Sequence, residues 1–335
     1  MTACRCFISM LALLGILAGG AAPLVARQPS TGGNNAFPVP TMGGKQLWAD
    51  ELFFYRWRIQ RNVLTGHCRL LDENNLRYGW GTFDQCKAKL EQIKRARAMP
   101  PMRGKVVVVL HGLFRSRTSM SKLCEHLGEQ GGYTVLNVGY ASTQREVGSH
   151  AKALERIVDN LDGVDEISFI GHSMGNIVIR HYLADREQNK RPPGKAPPRF
   201  HRFVMLAPPN HGSLVALTLA ETDAFKVLTG RSGRQLGAEW AELEDKLATP
   251  GFEFGIVAGG KGDALGFNPL LPGDDDGTVS VASTRLAGAG DFVVVPVLHS
   301  FVMNDPDVLD YTLRFLQKGY FVAADRRQPI KETKN

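Results

Sequence analysis

Residues 171–175 read Gly-His-Ser-Met-Gly, and they join a short apolar run at 166–170 to a mostly apolar helical stretch at 174–183. A serine at such a junction sits on a tight turn, with a buried strand behind it and a helix ahead. A β-carbon two positions to either side would collide with the neighbouring strand or helix, so glycine is required at 171 and 175. The turn presents one hydroxyl at the end of a sheet, where a nucleophile can be used. Glycine and serine are common in loops, so the pentapeptide acquires its meaning from the strand before it and the helix after it.

The strand–helix rhythm runs from Lys105 onward. A continuous β-branched run at 106–110 predicts a strand buried on both faces. Met120, Leu123, Cys124 and Leu127 mark a helix, 133–138 a strand, and Leu154, Ile157, Val158 and Leu161 a second helix. After the serine's helix come a basic, Pro-rich loop at 191–198 and strands at 202–206, 252–258 and 292–297, and a closing helix spans about 307–316. This alternation predicts an α/β fold with a doubly wound, mainly parallel sheet. Residues 213–250 break the rhythm with apolar residues that lead to no prompt strand, and are read as a cap or lid insertion over the mouth of the site. Ahead of the sheet, Trp48, Leu52, Tyr55 and Ile59 recur at helical spacing, and a second helix is expected at about 84–98, closed by Pro100 and Pro101. The expected plan is therefore a helical N-terminal extension at 46–100, the α/β domain at 101–320 and a polar tail at 321–335.

At the start of the chain, Arg5 precedes an apolar run at 7–17 and small residues through Ala26, the layout of a secretory signal. The run is short for a membrane span, which needs ~20 apolar residues. The expectation is a signal at 1–26, a flexible leader at 27–45 and export to the periplasm or outside the cell, with an uncleaved anchor as the alternative. Cys4 and Cys6 would leave with the signal, and Cys124 fits a helix core face. Cys68 and Cys86 could pair in an oxidising compartment, although Cys86 also fits an apolar helix face. No Cys or His cluster has ligand spacing, so neither a metal nor a cofactor is expected. The net charge of +7 is spread along the chain, and the run from Lys87 to Arg97 faces away from Cys86, Leu90 and Ile93. A solvated helix face follows from that pattern, and no nucleic-acid partner is expected.

Attack by a serine on a carbonyl creates an oxyanion, which needs two preorganised N–H donors. The turn His111-Gly112-Leu113-Phe114 directly follows the first strand, so the backbone N–H groups of Leu113 and Met174 are the candidate donors. The base that accepts the serine proton is expected at His299, after the last strand, with His211 its serious rival and His111, His172 and His181 behind. The acid that holds the imidazole lies in Asp274-Asp275-Asp276-Gly277-Thr278-Val279, with Asp276 favoured over its two neighbours.

These residues together resemble the bacterial lipase and esterase branch of the α/β-hydrolase superfamily, over about 105–316. The resemblance rests on His-Gly plus an oxyanion residue at Leu113, on Gly-His-Ser-x-Gly at 171–175, and on Asp-Gly-x-Val from Asp276 to Val279. A Pro-x-x-Gly-Ser turn at 209–213 adds to it. It implies the chain order Ser, acid, His, which selects His299 over His211, and acyl transfer to water through an acyl-enzyme. The expected substrate is an ester, lipid-like rather than small and soluble, with possible contact at a membrane surface. Acyl transfer to an alcohol or glycan by the same three residues, and a non-catalytic binding protein of this fold, are the alternatives.

Overall fold

The computed structural model describes residues 39–40, 45–188, 199–219 and 231–331. The expected secretory signal and most of the leader lie outside the described residues. So does part of the expected insertion, at 220–230.

The described chain opens with an antiparallel sheet of five strands: β1 (Val39–Pro40), β2 (Trp48–Phe54), β3 (Trp57–Asn62), β4 (Cys68–Leu71) and β5 (Leu76–Gly81). Their order is β1-β5-β4-β3-β2. Helix α1 (Phe83–Ala96) follows, capped by Thr82, whose hydroxyl accepts from Gln85 N while Gln85 returns a carbonyl to Thr82 N. This helix was expected at 84–98, but the helix expected over Trp48, Leu52, Tyr55 and Ile59 is instead the β2–β3 hairpin. Tyr55, at φ 51°, makes the turn, and Phe54 faces Trp57 across it. All seven residues of β2 are buried, so the strand shows no in–out alternation to betray it. Buried polar side chains break the apolar pattern further. Glu51 is held by Arg61 from β3 at 2.8 Å and by an arginine, Arg156, from a later helix at 2.6 Å. Pairing across strands overrides the 3.6-residue spacing here.

Six parallel strands then form the main sheet: β6 (Gly104–Leu110), β7 (Thr134–Val138), β8 (Val164–His172), β9 (Arg199–Leu206), β10 (Phe254–Gly259) and β11 (Asp291–Val295). Their order is β11-β10-β9-β8-β6-β7. Between them run α2 (Ser121–Gly131), α3 (Val147–Asp159), α4 (Met174–Gln188), α5 (Leu214–Leu219), α6 (Trp240–Glu244) and α7 (Val281–Thr284). Helix α8 (Pro306–Lys318) follows the last strand. Val106, Val108 and Leu110 of β6 join the core beneath α3 and α4, while Val107 and Val109 join the core beneath α2 and α8. Helices on both faces explain why β6 is apolar without alternation from Val106 to Leu110. Cys68 and Cys86 carry free thiols in the first of these cores, and burial pushes Cys86 up to about 12.

Strand β6 pairs with β7 on one side and β8 on the other. The chain thus steps outward once and then returns across β6, leaving a crevice at the carboxyl ends of β6 and β8. Within the insertion Ser213 N donates to Leu236 O at 3.2 Å, and the segment is tied to the body where Val147 N of α3 donates to Gln235 Oε1 at 2.8 Å. The C-terminal residues return to β11, with Phe321 buried and Gln328 N donating to Asp291 Oδ1 at 2.8 Å. Among the described residues no helix is long and apolar enough to cross a membrane.

The two sheets meet at Asp50. Its carboxylate accepts from Gly139 N, just beyond β7, at 2.6 Å and from Gln60 Nε2 at 2.7 Å. Burial still raises its pKa from 3.8 to about 6, outweighing Arg117, the Gly139 amide, Gln60 and Arg69. A carboxyl with a raised folded pKa holds its proton more tightly in the folded state, so its stabilisation is full below the unfolded pKa and is lost as pH rises through about 6. Relative to Asp50→Asn, the wild type should lose up to about 3 kcal/mol between about pH 4 and pH 7, measured by urea unfolding. A pH-independent difference between the two proteins would refute this.

Candidate functional site

Strand β8 runs into α4 through Ser173, whose φ of 53° lies in the left-handed region. A non-glycine residue there is strained by about 1–3 kcal/mol and is held by its surroundings. Ser173 N donates to Leu206 O of β9 at 2.9 Å, and Ser173 O accepts from Asn176 N and Asn176 Nδ2, both at 3.0 Å. The two glycines are required by close approach. A β-carbon on Gly171 would lie 2.6 Å from Asn176 N, and one on Gly175 would lie 2.6 Å from Leu110 O.

The Ser173 hydroxyl meets an imidazole that arrives from beyond β11. His299 Nε2 is 2.9 Å from Ser173 Oγ, and His299 Nδ1 is 2.7 Å from Asp276 Oδ2. Asp276 is buried, and its other oxygen accepts from Thr278 N at 3.0 Å and Val279 N at 2.7 Å. The loops are also joined by backbone, with His299 N donating to Asp276 O at 2.8 Å. Ser173, His299 and Asp276 therefore form one hydrogen-bonded chain. The neighbouring acids stay outside it. Asp274 accepts from Lys261 N and Gly262 N, while Asp275 caps Gly277 N at 2.6 Å.

The rival histidines are engaged elsewhere. His211 Nδ1 lies 3.4 Å from Glu244 Oε1, and His181 pairs with Asp185 at 3.1 Å. His111 Nδ1 bonds Gly112 O within its own turn at 2.8 Å. His172 does not stay within its turn: its Nε2 lies 3.0 Å from His299 O, so it steadies the loop that carries His299. Burial lowers the pKa of His111 to about 4 and that of His172 well below 6.5, so both are neutral at ordinary pH. Of the two candidate oxyanion donors, Met174 opens α4, where the first N–H groups lack an i−4 partner. Leu113 follows Gly112, whose added β-carbon would lie 3.0 Å from Ser173 Cβ, so this turn abuts the serine.

Residues 102–237, which include β6, the elbow and α4, match the family model described as "Putative serine esterase (DUF676)". The match takes in the Ser173 elbow but covers less than half of the chain, so this segment of the α/β sheet is similar to serine esterases. No curated protein matches the chain. Among solved structures it is similar to a Listeria innocua gene product, at 16% identity and TM-score 0.45, over 65% of this chain and 95% of that one. It is similar to a Bacillus licheniformis lipase in its propeptide form, at 16% identity and TM-score 0.49, over 71% of this chain and 54% of that one. It is similar too to a Legionella pneumophila phospholipase in complex with thio-NAD, at 21% identity and TM-score 0.45, over 64% and 58%. The chain thus spans little more than half the length of the last two.

Some residues that shape the site left no mark in the sequence. Asn176 binds both Ser173 O and Leu206 O through its side chain, at 3.0 and 3.1 Å, and so pins the elbow to β9. Tyr140, beyond β7, is buried against His111 with ring centroids 4.2 Å apart. Both depend on chain segments that meet only after folding. Among the described residues, no three His, Cys, Asp or Glu side chains gather as a metal-binding set.

The close approach at Gly175 is testable by stability. Gly175→Ala places a methyl against Leu110 O and should cost about 1–3 kcal/mol, seen as a lowered Tm. An unchanged Tm would show that the elbow and β6 are not in contact there.

Proposed function

We propose that the protein is a serine hydrolase that cleaves carboxylic esters with lipid-like acyl groups. The observation that carries this reading is the imidazole of His299, set 2.9 Å from Ser173 Oγ and 2.7 Å from Asp276 Oδ2. In that setting His299 Nδ1–H donates to the Asp276 carboxylate, which leaves Nε2 with a lone pair toward the serine hydroxyl. His299 takes the Ser173 proton as Oγ attacks the ester carbonyl. The backbone N–H groups of Leu113 and Met174 stabilise the oxyanion, each worth about 3 kcal/mol in the transition state. The start of α4 adds its dipole to the second of these donors. Return of the proton from His299 expels the alcohol, and water then releases the acid from Ser173 by the same steps in turn.

The acyl preference is supported by what surrounds the site. Phe114 follows the oxyanion turn, Leu217 lies on α5, Leu265, Phe267 and Leu270 lie on the loop after β10, and Phe301 follows His299. All are exposed. These loops leave the same end of the parallel sheet, and large exposed apolar side chains gathered on one face mark a surface for an apolar partner. A long acyl chain, alone or at a lipid surface, fits that requirement. The layout of residues 1–26 extends the proposal to an exported enzyme that meets its lipid outside the cytoplasm.

p-Nitrophenyl esters of increasing chain length test the reading. Ser173→Ala should lower kcat at least about 10³-fold with the fold intact, and His299→Ala should do the same. The kcat/KM of the wild type should rise from acetate toward longer chains. Hydrolysis that persists in Ser173→Ala would remove the serine from the mechanism. A preference for acetate would remove the lipid-like substrate but leave the esterase.

A further inference from the structure

Nothing in the chemistry above uses the N-terminal antiparallel sheet, yet its edge strand β2 reaches the loop behind the oxyanion turn. Asp50 grips Gly139 at both backbone polar atoms: its carboxylate accepts from Gly139 N at 2.6 Å, and its own N–H donates to Gly139 O at 2.8 Å. Gly139 O and Tyr140 N belong to one peptide plane. The other end of that plane donates to His111 Nε2, at 3.4 Å. An imidazole that accepts at Nε2 carries its proton on Nδ1, and this nitrogen donates to Gly112 O at 2.8 Å. Gly112 O in turn shares a planar trans peptide with the N–H of Leu113, so holding the carbonyl fixes the direction of the donor. The Tyr140 hydroxyl adds a second hold by donating to His111 O, and its ring stacks on the imidazole.

Resting on the esterase reading, we infer that Asp50 and Tyr140 are positioning residues, through which the N-terminal sheet aims the Leu113 N–H at the reacting carbonyl oxygen. The route is a series of rigid planes joined by hydrogen bonds: the 139–140 peptide, the His111 ring and the 112–113 peptide. Rigidity matters because an oxyanion donor is effective only if already aimed when charge develops. The side chains that carry the links are buried, with Asp50 and His111 fully enclosed and Tyr140 3% exposed, and only the backbone at Gly139 and Leu113 is half-buried, so water is a poor substitute for a lost side-chain link. Neither residue touches the substrate. Their effect falls on the transition state and leaves ground-state binding alone.

The test compares full-length wild type, Ser173→Ala, Asp50→Ala, Asp50→Asn, Tyr140→Phe and Leu70→Ala on p-nitrophenyl butyrate at a temperature where all are folded. Asp50→Ala and Tyr140→Phe should each lower kcat at least tenfold with KM within twofold. Inhibition by an alkyl trifluoromethyl ketone, whose adduct with the serine carries an oxyanion, should weaken by the same factor. Asp50→Asn keeps a carbonyl oxygen for the Gly139 amide and should recover most of kcat. Leu70→Ala hollows the buried centre of the same sheet without touching Gly139; it should lower Tm and spare kcat. Tyr140→Phe keeps the ring stack and decides the matter should Asp50→Ala fail to fold. A kcat and ketone affinity within twofold of wild type in folded Tyr140→Phe would overturn the inference, as would an equal loss of kcat in Leu70→Ala. Wild-type turnover that vanishes in Ser173→Ala upholds the esterase reading whatever these variants do. A wild type without such turnover sinks both.

Discussion

The Ser173 backbone holds a left-handed conformation between a strand and a helix, and that strained turn organises the molecule around it. The strain persists because the turn is bonded to two other elements: Ser173 N to Leu206 O of β9, and Asn176 to both Ser173 O and Leu206 O. It also persists because glycine at 171 and 175 lets α4 and β6 approach within distances that a β-carbon forbids. A parallel sheet supplies the buried, fixed strands that such a turn needs, since helices on both faces leave its strands no freedom to shift. The reactive end then falls at the carboxyl edge, where β6 sits between β7 and β8 and the loops diverge.

The site is assembled from loops that lie far apart in the chain, and each is fixed by more than one bond. Asp276 receives two backbone N–H donors on one oxygen and the His299 ring on the other, while its own carbonyl accepts from His299 N. His172, next to the serine, reaches the carbonyl of His299. The geometry of the imidazole thus follows from backbone contacts on both sides. A single side-chain hydrogen bond is worth only about 1 kcal/mol, and such redundancy is what holds a catalytic geometry to fractions of an ångström.

Buried charge fastens the N-terminal sheet to its neighbours. Glu51 is enclosed and shared by Arg61 and Arg156, and Asp50 is enclosed against Gly139 and Gln60. Burial of carboxylates is unfavourable unless each is paired or hydrogen-bonded, and such pairs contribute specificity of packing more readily than stability. Here they join β2 to α3 and to the loop after β7, so the antiparallel sheet is fastened by directional bonds as well as by the apolar core.

The α/β alternation and the candidate nucleophile Ser173 were legible in the chain because they rest on local signals. These are continuous apolar runs, amphipathic helices, and glycines at fixed offsets from a serine. The choice of His299 over His211 needed the resemblance as well, and Asp276 was only favoured, since three adjacent carboxylates are alike in composition and differ only in what folded loops bring to them. The hairpin at 48–62 was illegible for a different reason. Its strands are buried on both faces and its polar residues are neutralised by partners up to 105 positions away, so neither the alternation nor the polarity of a surface strand remains. The bonds of Asn176 to Leu206 O, of Tyr140 to His111 and of His172 to His299 O are likewise contacts between distant segments. The sequence alone determined the layered class and the strand–turn–helix that presents one serine, because backbone sterics and burial act over a few neighbouring residues. Only tertiary structure decided which imidazole and carboxylate meet that serine, and that a separate antiparallel sheet grips the loop behind them, because hydrogen bonds between remote segments exist only once the chain has closed.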